Sequence, residues 1–128
     1  MIVLDACVVI AFLNPDDIHH TDAVEVFDAA KFGELSISSI TLAETLVWPS
    51  QSGRADEAST ILRGLGVRVI SVGEESALPL AELRWKSRLK LPDSLVLLTA
   101  LTNQATLATF DTALAREART RGLLVIGA

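Results

Sequence analysis

The sequence predicts an α/β fold: a parallel β-sheet covered by helices on both faces. Three observations carry that expectation. Short apolar runs alternate with longer segments of helical spacing from end to end. The apolar runs lack the alternation with polar residues that a half-exposed strand has, which suits strands buried on both faces. Finally, 128 residues, half of them hydrophobic, suffice for one core, so one domain spanning residues 1–128 is expected. No internal repeat, low-complexity tract or linker divides the chain.

Taken in order, Ile2 to Leu4 reads as a buried strand, followed by a helix-like segment and the loop Asn14-Pro15-Asp16-Asp17. Residues 20–31 place Ala23, Val24, Phe27 and Ala30 at helical spacing. Leu35 to Ser38 is a second strand. Ser39, Thr41, Leu42, Ala43, Leu46 and Val47 open another helix, which Pro49 is expected to interrupt. Arg54 to Leu65 is helical and stops at Gly64 and Gly66, and Val67 to Val72 is a β-branched third strand. Residues 74–89 form a helix whose stripe of Leu78, Ala81, Trp85 and Leu89 is expected to face the core. Pro92 begins a helix reaching about Asn103, because proline suits a first turn. Thr106 to Thr109 is a fourth strand, Thr112 to Arg121 a helix stopped by Gly122, and Leu123 to Ile126 a fifth strand.

Several classes are disfavoured by composition. Sixteen acidic against eleven basic residues give a formal net charge of -5, which argues at first sight against a nucleic-acid partner. Cys7 is the only cysteine, so an internal disulfide is impossible and a reducing cytoplasm is the expected location. Residues 2–13 are apolar except for Asp5 and have no basic residue before them, unlike a signal peptide. No run approaches the ~20 apolar residues that span a bilayer, so no membrane partner is expected.

The chemistry-bearing residues are acids. A ligand site in an open α/β sheet lies outside the carboxyl ends of its strands. Asp5 ends the first strand, Glu44 lies in the helix after the second, Asp93 opens the helix begun by Pro92, and Asp111 follows the fourth strand. Each has a local reading: Asp5 and Asp111 as N-caps, Thr41-x-x-Glu44 as a capping box, Asp93 at the positive end of a helix dipole. Asp5 fits its local reading least well, because a carboxylate inside an apolar run is costly without a cation. Several clustered carboxylates repel one another unless a cation neutralises them. Oxygen-only donors select a hard ion, Mg2+ or Mn2+, whose natural chemistry is phosphodiester hydrolysis.

The segments Val3-Leu4-Asp5, Ile40-Thr41-Leu42-Ala43-Glu44, Leu91-Pro92-Asp93-Ser94 and Leu107-Ala108-Thr109-Phe110-Asp111 resemble, in order and along the whole chain, the four acidic motifs of PIN-domain ribonucleases. More narrowly they resemble the VapC toxins of type II toxin–antitoxin modules. That resemblance implies a PIN-like five-stranded parallel sheet of order 3-2-1-4-5. It implies Asp5, Glu44, Asp93 and Asp111 as catalytic carboxylates binding one or two Mg2+ or Mn2+ ions, with Thr109 in support. It also implies an RNA substrate, with transfer RNA a family-level candidate, a VapB-type antitoxin whose arginine reaches the acidic pocket, and a homodimer. Leu42, Leu46, Trp48 and Leu62 are candidates for that interface or for the core. Cys7 stands where the family often has Ser or Thr, and a thiol is the weaker hydrogen-bond donor. A catalytically inactive PIN-fold binding module is disfavoured because all four acids are present. A phosphoacceptor receiver-like domain would need adjacent acids after the first strand and a lysine after the last, and both are missing.

Other groupings have simpler readings. Asp16-Asp17-x-His19-His20 is expected to be a helix N-terminus in place of a metal site. Cys7 is expected to act as a small buried hydrophobe. Arg84, Lys86, Arg88 and Lys90 lead into Pro92-Asp93, so Arg84, Arg88 and Lys90 are candidate contacts to an RNA backbone as well as a solvated helix face. Residues 1–53 hold eight acids and one base, against eight acids and ten bases in residues 54–128. Attraction for RNA is therefore expected from the second half and from a bound cation.

Overall fold

The computed structural model describes residues 1–128. The chain runs β1 (Ile2–Leu4), α1 (Ala6–Leu13), α2 (His20–Ala29), β2 (Leu35–Ser38), α3 (Ser39–Gln51), α4 (Ala55–Gly64) and β3 (Arg68–Ile70). A 3-10 turn (Glu74–Ser76) follows, then α5 (Ala77–Ser87), α6 (Leu91–Thr102), β4 (Thr106–Thr109), α7 (Thr112–Thr120) and β5 (Val125–Gly127). All strand pairs are parallel, and the sheet order is β3-β2-β1-β4-β5, as the resemblance implied.

Both sheet faces are covered because neighbouring strand residues point to opposite sides. Leu4 packs with Val8, Phe27, Ile37 and Leu62 beneath α1, α2 and α4. Val3 packs with Leu83, Leu97, Leu107 and Leu114 beneath α5, α6 and α7. The chain winds outward from β1 to β3 on one side, then returns to add β4 and β5 on the other. That reversal opens a crevice between the carboxyl ends of β1 and β4. A 2.9 Å hydrogen bond from the Asp5 N–H to the Ala108 carbonyl fixes the height of one strand end against the other.

Three expectations are corrected. The helix α3 runs through Pro49 to Gln51. A proline in a last turn forfeits a single helical N–H, and here the Pro49 carbonyl takes the Arg54 N–H at 2.8 Å as the chain turns away. In α5 the buried residue is Leu83, whereas Leu78 and Trp85 are exposed at 69% and 79%. The rival stripe of Leu80, Leu83 and Ser87 meets the protein instead, since contact with α6 decides between two helical periodicities. Third, β3 is shorter than Val67–Val72 and lies at the sheet edge, where Val69 is exposed. Of the candidate interface residues, Leu62 belongs to the core, Leu42 packs against it, and Trp48 is exposed. No helix is long and apolar enough to cross a membrane.

Candidate active site

The carboxyl ends of β1 and β4 hold Asp5 in a closed hydrogen-bond network. Asp5 is 7% exposed. Its Oδ1 accepts the Ala6 N–H at 2.8 Å, so it does cap α1. Its Oδ2 faces the crevice side of β4 and accepts the Thr109 hydroxyl at 2.7 Å and the Cys7 thiol at 3.2 Å. Thr109 accepts the Asp111 N–H at 3.0 Å in turn. The hydroxyl therefore ties Asp5 to the backbone of Asp111. Asp111 is exposed, and its Oδ1 caps α7 by accepting the Leu114 N–H at 2.9 Å.

Glu44 and Asp93 have no such duty. The cap of α3 is Ser38, whose Oγ accepts the Thr41 N–H at 3.0 Å. The capping box expected from Thr41 to Glu44 is thus displaced by three residues, and Glu44 lies beyond the first turn, exposed and without a hydrogen bond. Asp93 lies in the first turn of α6, whose cap residue is Lys90, and it too accepts no hydrogen bond. Burial, then Asp5, then Asp93 push the Glu44 carboxyl above its ordinary range. Burial, then Asp5 and Asp111 raise Asp93, and Lys90 pulls it back down. The charge of Asp5 thus reaches both Glu44 and Asp93, and that of Asp111 reaches Asp93, although the four acids come from four separate segments.

This set fits a hard divalent cation by its chemistry: every donor is a carboxylate oxygen, and burial followed by like charge raises the two unbonded members. As the side chains stand, no three acidic, histidine or cysteine groups converge closely enough to enclose an ion.

Two contacts were not legible in the sequence. Cys7 is half-buried and polar in its role: besides donating to Asp5, its Sγ accepts the Phe110 N–H at 3.4 Å. Burial first, and then Asp5, push its thiol up to about 12, so it remains a protonated donor. The second is a stack of His19 on Phe110, with ring centroids 4.6 Å apart and planes at 17°. Asp16 and Asp17 lie in the turn before α2, but neither caps it as their position suggests: the cap residue is His19, without a side-chain cap bond, and Asp17 Oδ1 instead accepts the His19 N–H at 2.8 Å. His20 Nδ1 lies 2.7 Å from the Ala11 carbonyl at the end of α1. Arg84, Arg88 and Lys90 are all exposed and none forms an ion pair.

A 3-2-1-4-5 parallel sheet with acids near its switch point defines the class: a three-layer α/β protein whose carboxyl edge is acidic. The PIN domain family model matches residues 2–119, and the chain belongs to that family. No curated protein sequence matches it. Among solved structures it is similar to VapC20 of Mycobacterium tuberculosis, a sarcin–ricin loop cleaving toxin, at 19% identity over 97% of both chains with a TM-score of 0.76. It is similar to a toxin–antitoxin complex from Klebsiella pneumoniae at 24% identity over 88% of both chains, TM-score 0.74. FitAcB from Neisseria gonorrhoeae gives 23% identity over 98% of this chain and 96% of that one, TM-score 0.75.

Proposed function

We propose that this protein is a Mg2+- or Mn2+-dependent endoribonuclease and the toxin of a type II toxin–antitoxin pair. The observation that carries the reading is the pair Glu44 and Asp93: two acids with no cap to serve, both raised by burial and then by the charge of Asp5, with Asp93 adding to Glu44 and Asp111 to Asp93. Asp5, Glu44, Asp93 and Asp111 would hold one or two ions. A bound ion supplies a lowered pKa for water and neutralises charge on a phosphoryl oxygen. Thr109 and Cys7 hold the Asp5 carboxylate in one orientation, and Arg84, Arg88 and Lys90 offer unpaired cations to an RNA backbone beside Asp93. Residues 1–128 act as one domain, working in the cytoplasm as a homodimer, and transfer RNA is the first substrate to test.

The partner's seat is a groove beside the pocket. Two adjoining cavities of about 390 and 170 Å³ share Leu13, Trp48 and Pro49. Ile61 lines the far end and Glu44 the near end. An apolar antitoxin segment covering exposed Trp48 would bring an arginine onto Glu44, where paired hydrogen bonds suit a carboxylate.

The test is digestion of a structured RNA pool by the purified protein with Mg2+ or Mn2+. Cleavage is expected, and chelation, Asp5→Asn or Asp93→Asn should abolish it. Undiminished cutting by both variants overturns the site. Growth arrest on expression, relieved by co-expressing the neighbouring gene, tests the toxin role.

A further inference from the structure

The stack of His19 on Phe110, the residue before Asp111, serves none of the roles above. Phe110 is the residue between Thr109, which bonds Asp5, and Asp111, and its own N–H is held by Cys7. Its ring is also seated. Gly127 has φ +100°, and a Cβ there would lie 2.5 Å from the Thr109 carbonyl and 3.1 Å from the Phe110 ring, so a side chain would clash with the β4 backbone and crowd the ring. Phe110 also packs against the core beneath α1 and α2. It is a fixed base for whatever rests on it.

His19 rests on it. The turn before α2 holds the residue through its N–H on Asp17, and the imidazole lies nearly parallel to the Phe110 ring. The side chain remains 44% exposed although Phe110 covers one face of its ring, and Asp22 lies 3.9 Å from its Nδ1. An exposed aromatic ring anchored on the residue before Asp111 is a surface on which a nucleobase stacks.

Resting on the nuclease reading above, we infer that the exposed ring of His19, backed by Phe110, binds an unpaired base of the RNA next to the phosphodiester held at the acidic pocket. The residue contacts substrate and sets which strand geometry is accepted. Only a base free of its duplex can lie on the ring, so a single-stranded nucleotide at this position is required and a fully paired one is refused. Any base stacks, so the selection is for an unpaired base more than for one identity.

The experiment uses oligoribonucleotides spanning a mapped cleavage position, with the base beside the cut intact, replaced by 2-aminopurine, or removed to leave an abasic sugar. Steady-state cleavage is measured in Mn2+ for the wild type, His19→Ala and His19→Phe. His19→Ala should raise KM roughly ten-fold or more with kcat little changed, and His19→Phe should restore it. Removing the base should raise the wild-type KM similarly and erase the difference between wild type and His19→Ala. An unchanged KM in a folded His19→Ala, or an equal loss on intact and abasic RNA, overturns the inference. Should His19→Ala not fold, a wild type indifferent to base removal overturns it as well. Quenching of 2-aminopurine, followed in parallel, separates the two readings. Binding and His19-dependent quenching without cleavage would remove the nuclease and leave the platform, whereas neither binding nor cleavage would overturn both.

Discussion

Helices α5 and α6 are neighbours in sequence and in space, yet they relate to the core in opposite ways. In α6 Ser94, Leu95, Val96, Leu97, Thr99 and Ala100 are all buried, and the helix presents Asp93 from its first turn. In α5 only Leu83 is buried, and the surface carries Leu78, Trp85 and the unpaired cations Arg84 and Lys86. In the proposed site Asp93 would need its position fixed to about half an ångström, whereas the cations proposed to meet an RNA backbone would not. One helix is built into the sheet, and the other is laid on its outside.

The largest effect that tests this contrast is on stability. Leu97 is fully buried among Val3, Leu107 and Leu114. Leu97→Ala should cost about 2–5 kcal/mol in urea unfolding through lost burial and an unfilled cavity. Leu78→Ala on exposed α5 should change little, within about 0.5 kcal/mol. Equal losses at the two positions would remove the distinction between a built-in and a laid-on helix.

Next comes the charge at Asp93 and Glu44. Both carboxyls are raised in the folded protein, so in the window from the ordinary carboxylate range up to their raised values the folded state holds more protons than the unfolded one. Stability of the metal-free protein should therefore fall as pH rises through that window, and a bound divalent cation should reverse the loss. Mn2+ at about a hundred times its Kd should raise stability by about 2.7 kcal/mol near neutral pH. The gain at about pH 5 should be smaller, because protons compete for the same oxygens. Thermal melts with and without Mn2+ at both pH values read this directly. A gain that does not depend on pH, or that survives Asp93→Asn, would place the ion elsewhere.

What the sequence revealed follows the same division. Regular spacing and strand composition were enough to read α6, β4 and α7 within a residue or two, and the strand order came with the four acidic motifs. Asp5 directly follows β1, Asp111 lies two residues past β4, Asp93 opens α6, and Glu44 sits in the second turn of α3, the helix that follows β2. The capping box was misread because Ser38 and Thr41 are both good caps, and only the end of β2 decides which one starts the helix. The face of α5 was misread because its two apolar stripes are nearly equivalent until α6 is present. The Cys7 bridge and the His19 stack join residues far apart in the chain, and no local pattern marks them.

A smaller effect, of two signs, is expected at the end of α5. Arg88 closes the helix with φ +62°, a left-handed conformation that glycine adopts at less cost. Arg88→Gly should stabilise the fold by about 1 kcal/mol. If Arg88 also meets a phosphate, the same change should weaken RNA binding and lower the slope of log affinity against log salt by about one. A more stable protein with an unaltered salt slope would confine Arg88 to a structural role.

The smallest effect is expected at the largest side chain. Trp85 reads from the sequence as core, but it stands 79% exposed on the same side of α5 as Leu78. In a dilute, monomeric protein Trp85→Ala should therefore move the unfolding free energy by no more than about 0.5 kcal/mol. A tryptophan left open in this way is uncommon on a surface that meets only water, and aromatic residues are enriched where chains meet. For the proposed homodimer this gives a paired expectation: sedimentation of Trp85→Ala should shift toward monomer while the melting curve at low concentration stays where it was. A loss of several kcal/mol in the monomer would instead mean that Trp85 is buried in solution and α5 is as built-in as α6. An unchanged sedimentation profile would free this face from the dimer and leave the α3 side, with Val47 and Trp48 exposed, to supply it.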